Sequence, residues 1–151
     1  MSRIVVIGSG IAGLFAALRL DEAGHDVVVI TKQRPKDSST NWAQGGIAGI
    51  LDKTDGAGKD AHISDTLEAG DGLCDESVVR LVVEEAGDRI RDLLKVGVEF
   101  EKDGDEFHLV KEGGHTARRI LHAKDATGAE IERALTEAIS KSENISMRSH
   151  T

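Results

Sequence analysis

Three short stretches of this sequence hold residue types that can do chemistry. The first is GSGIAG, residues 8–13, which spaces Gly8, Gly10 and Gly13 like a dinucleotide fingerprint. Gly8 permits a tight turn, Gly10 lets a pyrophosphate approach bare backbone, and Gly13 lets a helix pack closely on a strand. Ser9, Ile11 and Ala12 complete a turn whose N–H groups and helix-dipole charge suit phosphate. The second stretch, SSTNWAQGGIAG at 38–49, combines hydroxyls, an amide, an indole and a glycine pair. Those types supply hydrogen-bond donors, a flat apolar face and backbone that can lie against a planar ring, although a structural loop can use them too. The third, KEGGHTARRILHA at 111–123, gathers Glu112, Gly113, Gly114, His115, Arg118, Arg119 and His122. It suits either a substrate loop or a solvated, partly helical surface.

These stretches need elements to position them. Residues 3–31 read as a βαβ unit. RIVVI at 3–7 has the composition of a strand buried on both faces of a parallel sheet. Residues 11–23 place Ile11, Leu14, Phe15 and Leu18 on one helical face, Gly24 stands where a left-handed cap is expected, and DVVVIT at 26–31 reads as the second strand. Residues 32–60, with the only proline at Pro35, read as a long functional loop. Residues 61–124 read as a helical and hairpin insertion. Its helices are expected over 61–69 and 76–95, the second with Val79, Val82, Val83, Ala86, Ile90, Leu93 and Leu94 on one face. Its hairpin, 98–110, is expected to turn at Asp103 and Gly104. In 125–151, Asp125 or Thr127 is expected to cap a helix that buries Ile131, Leu135, Ala138 and Ile139, and NISMRS begins a third strand. The expected fold class is therefore α/β, the N-terminal part of a Rossmann-like domain with a parallel sheet.

Composition narrows the function classes. With 19 basic against 27 acidic side chains the net charge is −8, which repels nucleic acid and anionic membrane surfaces. Arg19 and the fixed glycines break the N-terminal apolar run, so neither a membrane span nor a secretory signal is expected, and the chain reads as cytoplasmic from Met1. Cys74 stands alone and reads as a small buried or half-buried apolar residue, not a disulfide or zinc thiolate. His62, Asp65, Glu68 and Asp71 have helical spacing and read as a solvated face. Arg118, Arg119, His122 and Lys124 can support an anionic ligand or flank a helix as scaffold. The second strand ends in Thr31 and Lys32 instead of an acid, so the fingerprint alone admits NADP.

Taken in order, GSGIAGL, TK at the strand end, STNWAQGGIA and EGGHTARRILHAKDATG resemble the N-terminal portion of the L-aspartate oxidases. These belong to the FAD-dependent flavoprotein family that also contains succinate dehydrogenase and fumarate reductase. The resemblance runs over nearly the whole chain. It implies FAD lying across Gly8, Ser9, Gly10, Ile11, Ala12 and Gly13, with Lys32 in place of the usual acid. It further implies that Ser39, Thr40, Asn41, Trp42, Ala43, Gln44, Gly45 and Gly46 line the flavin and its pyrophosphate. Many relatives attach FAD through a histidine five residues before the glutamine of AQGG. Here that position is Ser39, so noncovalent FAD is expected.

The implied reaction is oxidation of L-aspartate to iminoaspartate, with oxygen or fumarate as acceptor. It serves de novo NAD biosynthesis, with a functional link to quinolinate synthase. Glu112 is expected to receive the substrate's α-ammonium group, and Gly113 and Gly114 to let its loop approach. No catalytic residue is expected in this chain, because in the family the groups that clamp the dicarboxylate come from a capping domain and later segments. The chain thus reads as the front of a larger protein, inactive alone, with the remaining strands and the capping domain absent. The rival readings are a succinate- or fumarate-type flavoprotein and a noncatalytic dinucleotide-binding module.

Overall fold

A computed structural model describes residues 2–151. The elements run β1 (Arg3–Ile7), α1 (Ile11–Glu22), β2 (Asp26–Thr31), β3 (Ile47–Ala48), α2 (Gly56–Ala69), α3 (Glu76–Lys95), β4 (Lys102–Asp103), β5 (Glu106–Phe107), β6 (Ile120–Leu121), α4 (Thr127–Ser140) and β7 (Ile145–Ser149). They form two compact units.

The first unit comprises residues up to Gly45, 96–99 and 125–151. Its sheet is parallel, with β2 between β1 and β7. A central strand is paired on both edges, and β2 accordingly buries Val27, Val28 and Val29. β1 differs from the sequence expectation. Its exposure alternates, and Val5 and Ile7 are 53% and 85% exposed. The reason is which face is covered: Val6 faces α1, where Gly13 brings the helix close, whereas Val5 and Ile7 lie on the opposite face, which no described helix covers. Gly24 ends α1 with φ +82°, as its position after the helix predicts.

α4 begins where expected, yet neither Asp125 nor Thr127 caps it. Ala126 occupies the N-cap position and contributes no side-chain hydrogen bond. An orphan first-turn donor is satisfied from outside the helix: the Gly128 N–H donates to the Ala43 carbonyl at 3.0 Å. A side chain at Gly128 would collide with the Thr40 carbonyl and crowd Ala43, so only glycine allows this approach.

The second unit comprises residues 46–95 and 100–124. α2 starts at Gly56, five residues before the expected position, because the Asp55 carboxylate caps it by accepting the Gly58 N–H at 2.7 Å. α3 has the expected bounds. Its buried line runs through Val83, Gly87 and Ile90, where Gly87 admits the Ile50 backbone, so Val82 lies off that line and is 60% exposed. The hairpin turn sits one residue later than expected. Asp103 pairs with Glu106, leaving Gly104 and Asp105 at the centre, and Gly104 supplies the positive φ of +63°. The antiparallel pairing of β3 with β6, Ile47 to Leu121 and Ala48 to Ile120, joins segments expected to be loops. Their two-residue length leaves no periodic signal in the sequence.

Candidate cofactor cleft and substrate loop

In the first unit the glycine fingerprint turns sharply from β1 into α1. Gly8 has φ +109°, a conformation that L side chains rarely adopt. A Cβ at Gly13 would strike the Gly8 carbonyl and lie 3.5 Å from Val6 Cγ1, so the close helix–strand contact expected of this position is present. The turn opens on a cleft of about 470 Å³ lined by Gly8, Ser9, Gly10, Thr31, Lys32, Gln33, Asp37 and Ser38–Thr40.

Two side chains assemble this cleft. Ser9 is buried, and its hydroxyl hydrogen-bonds to Thr31 Oγ1 at 2.9 Å and donates to the Pro35 carbonyl at 3.1 Å. It therefore ties the turn to the end of β2, leaving the backbone of Ser9 as the part that can face a ligand. Thr40 Oγ1 accepts the Ile11 N–H at 2.9 Å, so the second stretch bonds directly to the N-terminus of α1. Ala12 and Gly13 also lie in the first turn, whose N–H groups have no intrahelical partners. A positive helix end, bare backbone at Gly8 and Gly10, and Lys32 at the rim are a donor set that fits a diphosphate.

The loop from Ser38 is shaped by a residue that periodicity did not single out. Glu132 on α4 is 2% exposed, and its Oε2 accepts the Ser38 hydroxyl at 2.9 Å. The Ser38 oxygen also accepts the Asn41 N–H at 3.3 Å. Among the described residues Glu132 Oε1 has no hydrogen-bond partner, and burial raises the carboxyl pKa against the opposing Ser38 bond. A raised folded value means stability is fully present below the ordinary glutamate range and is lost as pH rises through the folded pKa. Glu132→Gln is therefore expected to match the wild type in urea unfolding at pH 4 and to exceed it at pH 8. A wild type that stays the more stable of the two at pH 8 would refute this.

Other members of the second stretch are placed differently. Trp42 is 72% exposed, so it does not pack the loop interior and its ring is free to meet a ligand. Ser39, Ala43, Gln44 and Gly45 are also exposed, while Asn41 is half-buried. Gly46 lies in the second unit, where a side chain would collide with Ile120 and the Leu121 carbonyl. Packing on β6 thus accounts for that glycine.

The third stretch lies in the second unit and divides into an exposed turn and a buried anchor. Glu112 is exposed, its carbonyl accepts the His115 N–H at 3.2 Å, and Gly114 turns the chain with φ +83°. The anchor corrects the solvated-face reading of α2. His62 and Asp65 are buried, and Asp65 pairs with Arg119, which is 1% exposed. Asp65 Oδ2 accepts from the Thr116 N–H at 2.7 Å, the Thr116 hydroxyl at 2.9 Å and Arg119 Nη1 at 2.5 Å. The Thr116 N–H, then Arg119, hold the Asp65 carboxyl down at about 2, against desolvation. Burial, then the charge of Arg119, lowers the pKa of His62. A second cleft, of about 460 Å³, is lined by Asp65, Glu68, Ala69, Lys111, Gly114, His115 and Thr116. The sequence carried no sign that Arg119, not Arg118, goes inside. Cys74 is half-buried and unpaired, with Sγ 3.7 Å from the Thr66 carbonyl.

Residues 3–151 match the FAD binding domain family. The chain belongs to this family. As an FAD-binding domain its cofactor is FAD, and the diphosphate-compatible cleft agrees with that. The domain is 51% identical over 138 residues to L-aspartate oxidase of Streptomyces coelicolor, a match covering 90% of this chain and 23% of that protein. It is 46% identical over 147 residues to the chloroplastic L-aspartate oxidase of Oryza sativa subsp. japonica, covering 97% of this chain and 22% of that protein. Its fold matches the Mycobacterium smegmatis Sdh1 complex with a TM-score of 0.87 at 30% identity, over 99% of this chain and 28% of that one. It matches FrdA of E. coli quinol fumarate reductase with a TM-score of 0.85 at 27% identity, over 97% of this chain and 26% of that one. The FAD-binding domain thus spans less than a quarter of the length of these curated relatives. Among its described residues, no helix is long and apolar enough to cross a membrane.

Proposed function

We propose that this FAD-binding domain is the cofactor-holding part of an L-aspartate oxidase, which converts L-aspartate to iminoaspartate for quinolinate synthase. The observation that carries the reading is the bond from Ile11 N–H to Thr40, because it joins the fingerprint and the second stretch around one cleft. Identity of 46–51% to relatives named L-aspartate oxidase supports the choice of substrate.

In this reading the fingerprint backbone and Lys32 hold the diphosphate, and the stretch from Ser39 to Gly46 lines the flavin. FAD, when bound, would supply the two-electron acceptor for oxidation at the substrate α-carbon. The family resemblance implies a histidine at the Ser39 position where FAD is attached covalently, and a serine hydroxyl cannot make a histidyl link, so in this reading the cofactor is held by contacts alone. Glu112 receives the α-ammonium group and thereby separates aspartate from succinate, which lacks that charge.

Two measurements on the full-length protein test this. Acid precipitation should release the flavin into the supernatant; flavin that stays with the pellet would overturn the noncovalent assignment. Oxidation assays should show turnover of aspartate and none of succinate, and succinate turnover at an equal or greater rate would overturn the substrate assignment.

A further inference from the structure

A second cluster of chemically capable residues lies in the second unit and lines neither cleft. Glu101, His108 and His122 are brought abreast by backbone pairing. Val110 pairs with Ile120 in an antiparallel bridge, which two residues further along sets His108 opposite His122. Lys102 pairs with Phe107, which one residue further along sets Glu101 opposite His108. The His108 N–H donates to the Glu101 carbonyl and the Glu101 N–H to the His122 carbonyl, each at 2.9 Å. Cross-strand neighbours have side chains close enough to share a small ligand.

The side chains converge. His108 Nδ1 and His122 Nε2 are 3.1 Å apart, and one ligand atom from each of the three residues lies within 4.8 Å of the others. Glu101 Oε2 is 3.9 Å from His108 Nδ1 and 3.7 Å from His122 Nδ1. The other carboxylate oxygen, Oε1, accepts the Lys124 N–H at 3.0 Å, which orients the group with Oε2 toward the imidazoles. The side chains of His108 and Glu101 are 44% and 38% exposed, which leaves a path from solvent, while His122 is largely covered.

We propose that Glu101, His108 and His122 bind one divalent cation of the zinc class, with water in the remaining position. Two imidazoles and one carboxylate are an established donor set for zinc, whose ligands at about 2.0–2.1 Å stand roughly 3.4 Å apart in a tetrahedral site. The imidazoles meet through His108 Nδ1 and His122 Nε2, while the carboxylate faces Nδ1 of each ring, so Glu101 Oε2, His108 Nδ1 and one ring nitrogen of His122 are the three ligand atoms. The Lys124 N–H acts here as the outer-shell partner that fixes a ligating carboxylate. The two histidines bracket residues 109–121, which include Glu112 and Arg119. A bound cation would therefore clip together the two feet of the loop carrying Glu112, whatever that loop recognises.

The test is titration of zinc chloride into the full-length, FAD-loaded protein, followed by calorimetry and thermal unfolding. One equivalent should bind and raise the unfolding midpoint, and His108→Asn, His122→Asn and Glu101→Gln should each weaken binding at least about 10-fold. Absence of binding, or unchanged affinity in both histidine variants, would overturn the proposal. Cobalt(II) added to the wild type gives a check that needs no variant. A four-coordinate spectrum, at wavelengths beyond the flavin bands, is expected; the spectrum of hexaaquo cobalt alone would overturn the site.

Discussion

Glu112→Gln in the full-length enzyme is expected to lower kcat/KM for aspartate oxidation by about 10- to 100-fold, while fumarate reduction stays nearly unchanged. A hydrogen bond between a carboxylate and an ammonium contributes about 1.5–3 kcal/mol more than no partner, which gives that range. Fumarate carries two carboxylates and no ammonium, so it gains nothing from an acid at this position. The substitution leaves the fold alone, because the Glu112 side chain is exposed and the turn closes through its carbonyl on the His115 N–H. Glutamine keeps the shape and removes the charge, which isolates the electrostatic part. Steady-state assays of both reactions decide the matter, and equal losses in the two would show that Glu112 does not discriminate substrates.

Asp65→Asn is expected to lower the unfolding midpoint by about 10 °C, because it strands the Arg119 cation inside without its counter-ion. Arg119→Met should do less harm, because the Thr116 N–H and hydroxyl still bind the Asp65 carboxylate. The double variant should recover much of the loss, since removing both members of a buried pair costs far less than removing one. Scanning calorimetry of the three variants makes the comparison, and purely additive losses would show that the pair is not a unit.

The same anchor predicts a pH dependence with a definite sign. Asp65 has a folded pKa of about 2, below its unfolded value of about 3.9. Its stabilisation is complete above pH 4 and disappears as pH falls toward 2. His62 acts at higher pH. Its folded pKa is lowered by burial first and by Arg119 second, so the unfolded state binds a proton more readily. Stability should therefore fall as pH drops below about 6.5, and His62→Gln should remove that step while keeping the acid limb set by Asp65.

The sequence by itself determined the local parts of this domain. β2, α3 and the Gly24 cap fall on the expected residues, since apolar spacing and a single glycine report on a few neighbouring positions. The fingerprint was legible for the same reason, because the positive φ of Gly8 and the contact of Gly13 with the Gly8 carbonyl are demands within one turn, although the crowding of Gly10 by Thr40 is not. Exposure of β1 was not legible, as RIVVI has the same composition whether one or both of its faces are covered. Tertiary structure alone decided the rest. Arg119 reaches Asp65 across 54 positions, Glu132 reaches Ser38 across 94, and Gly128 meets Ala43. The trio of Glu101, His108 and His122 likewise depends on two separate strand pairings. A charged residue has the same pattern in sequence whether solvated or buried against a counter-ion. Which state holds depends on the chain brought against it, and that is a property of packing alone.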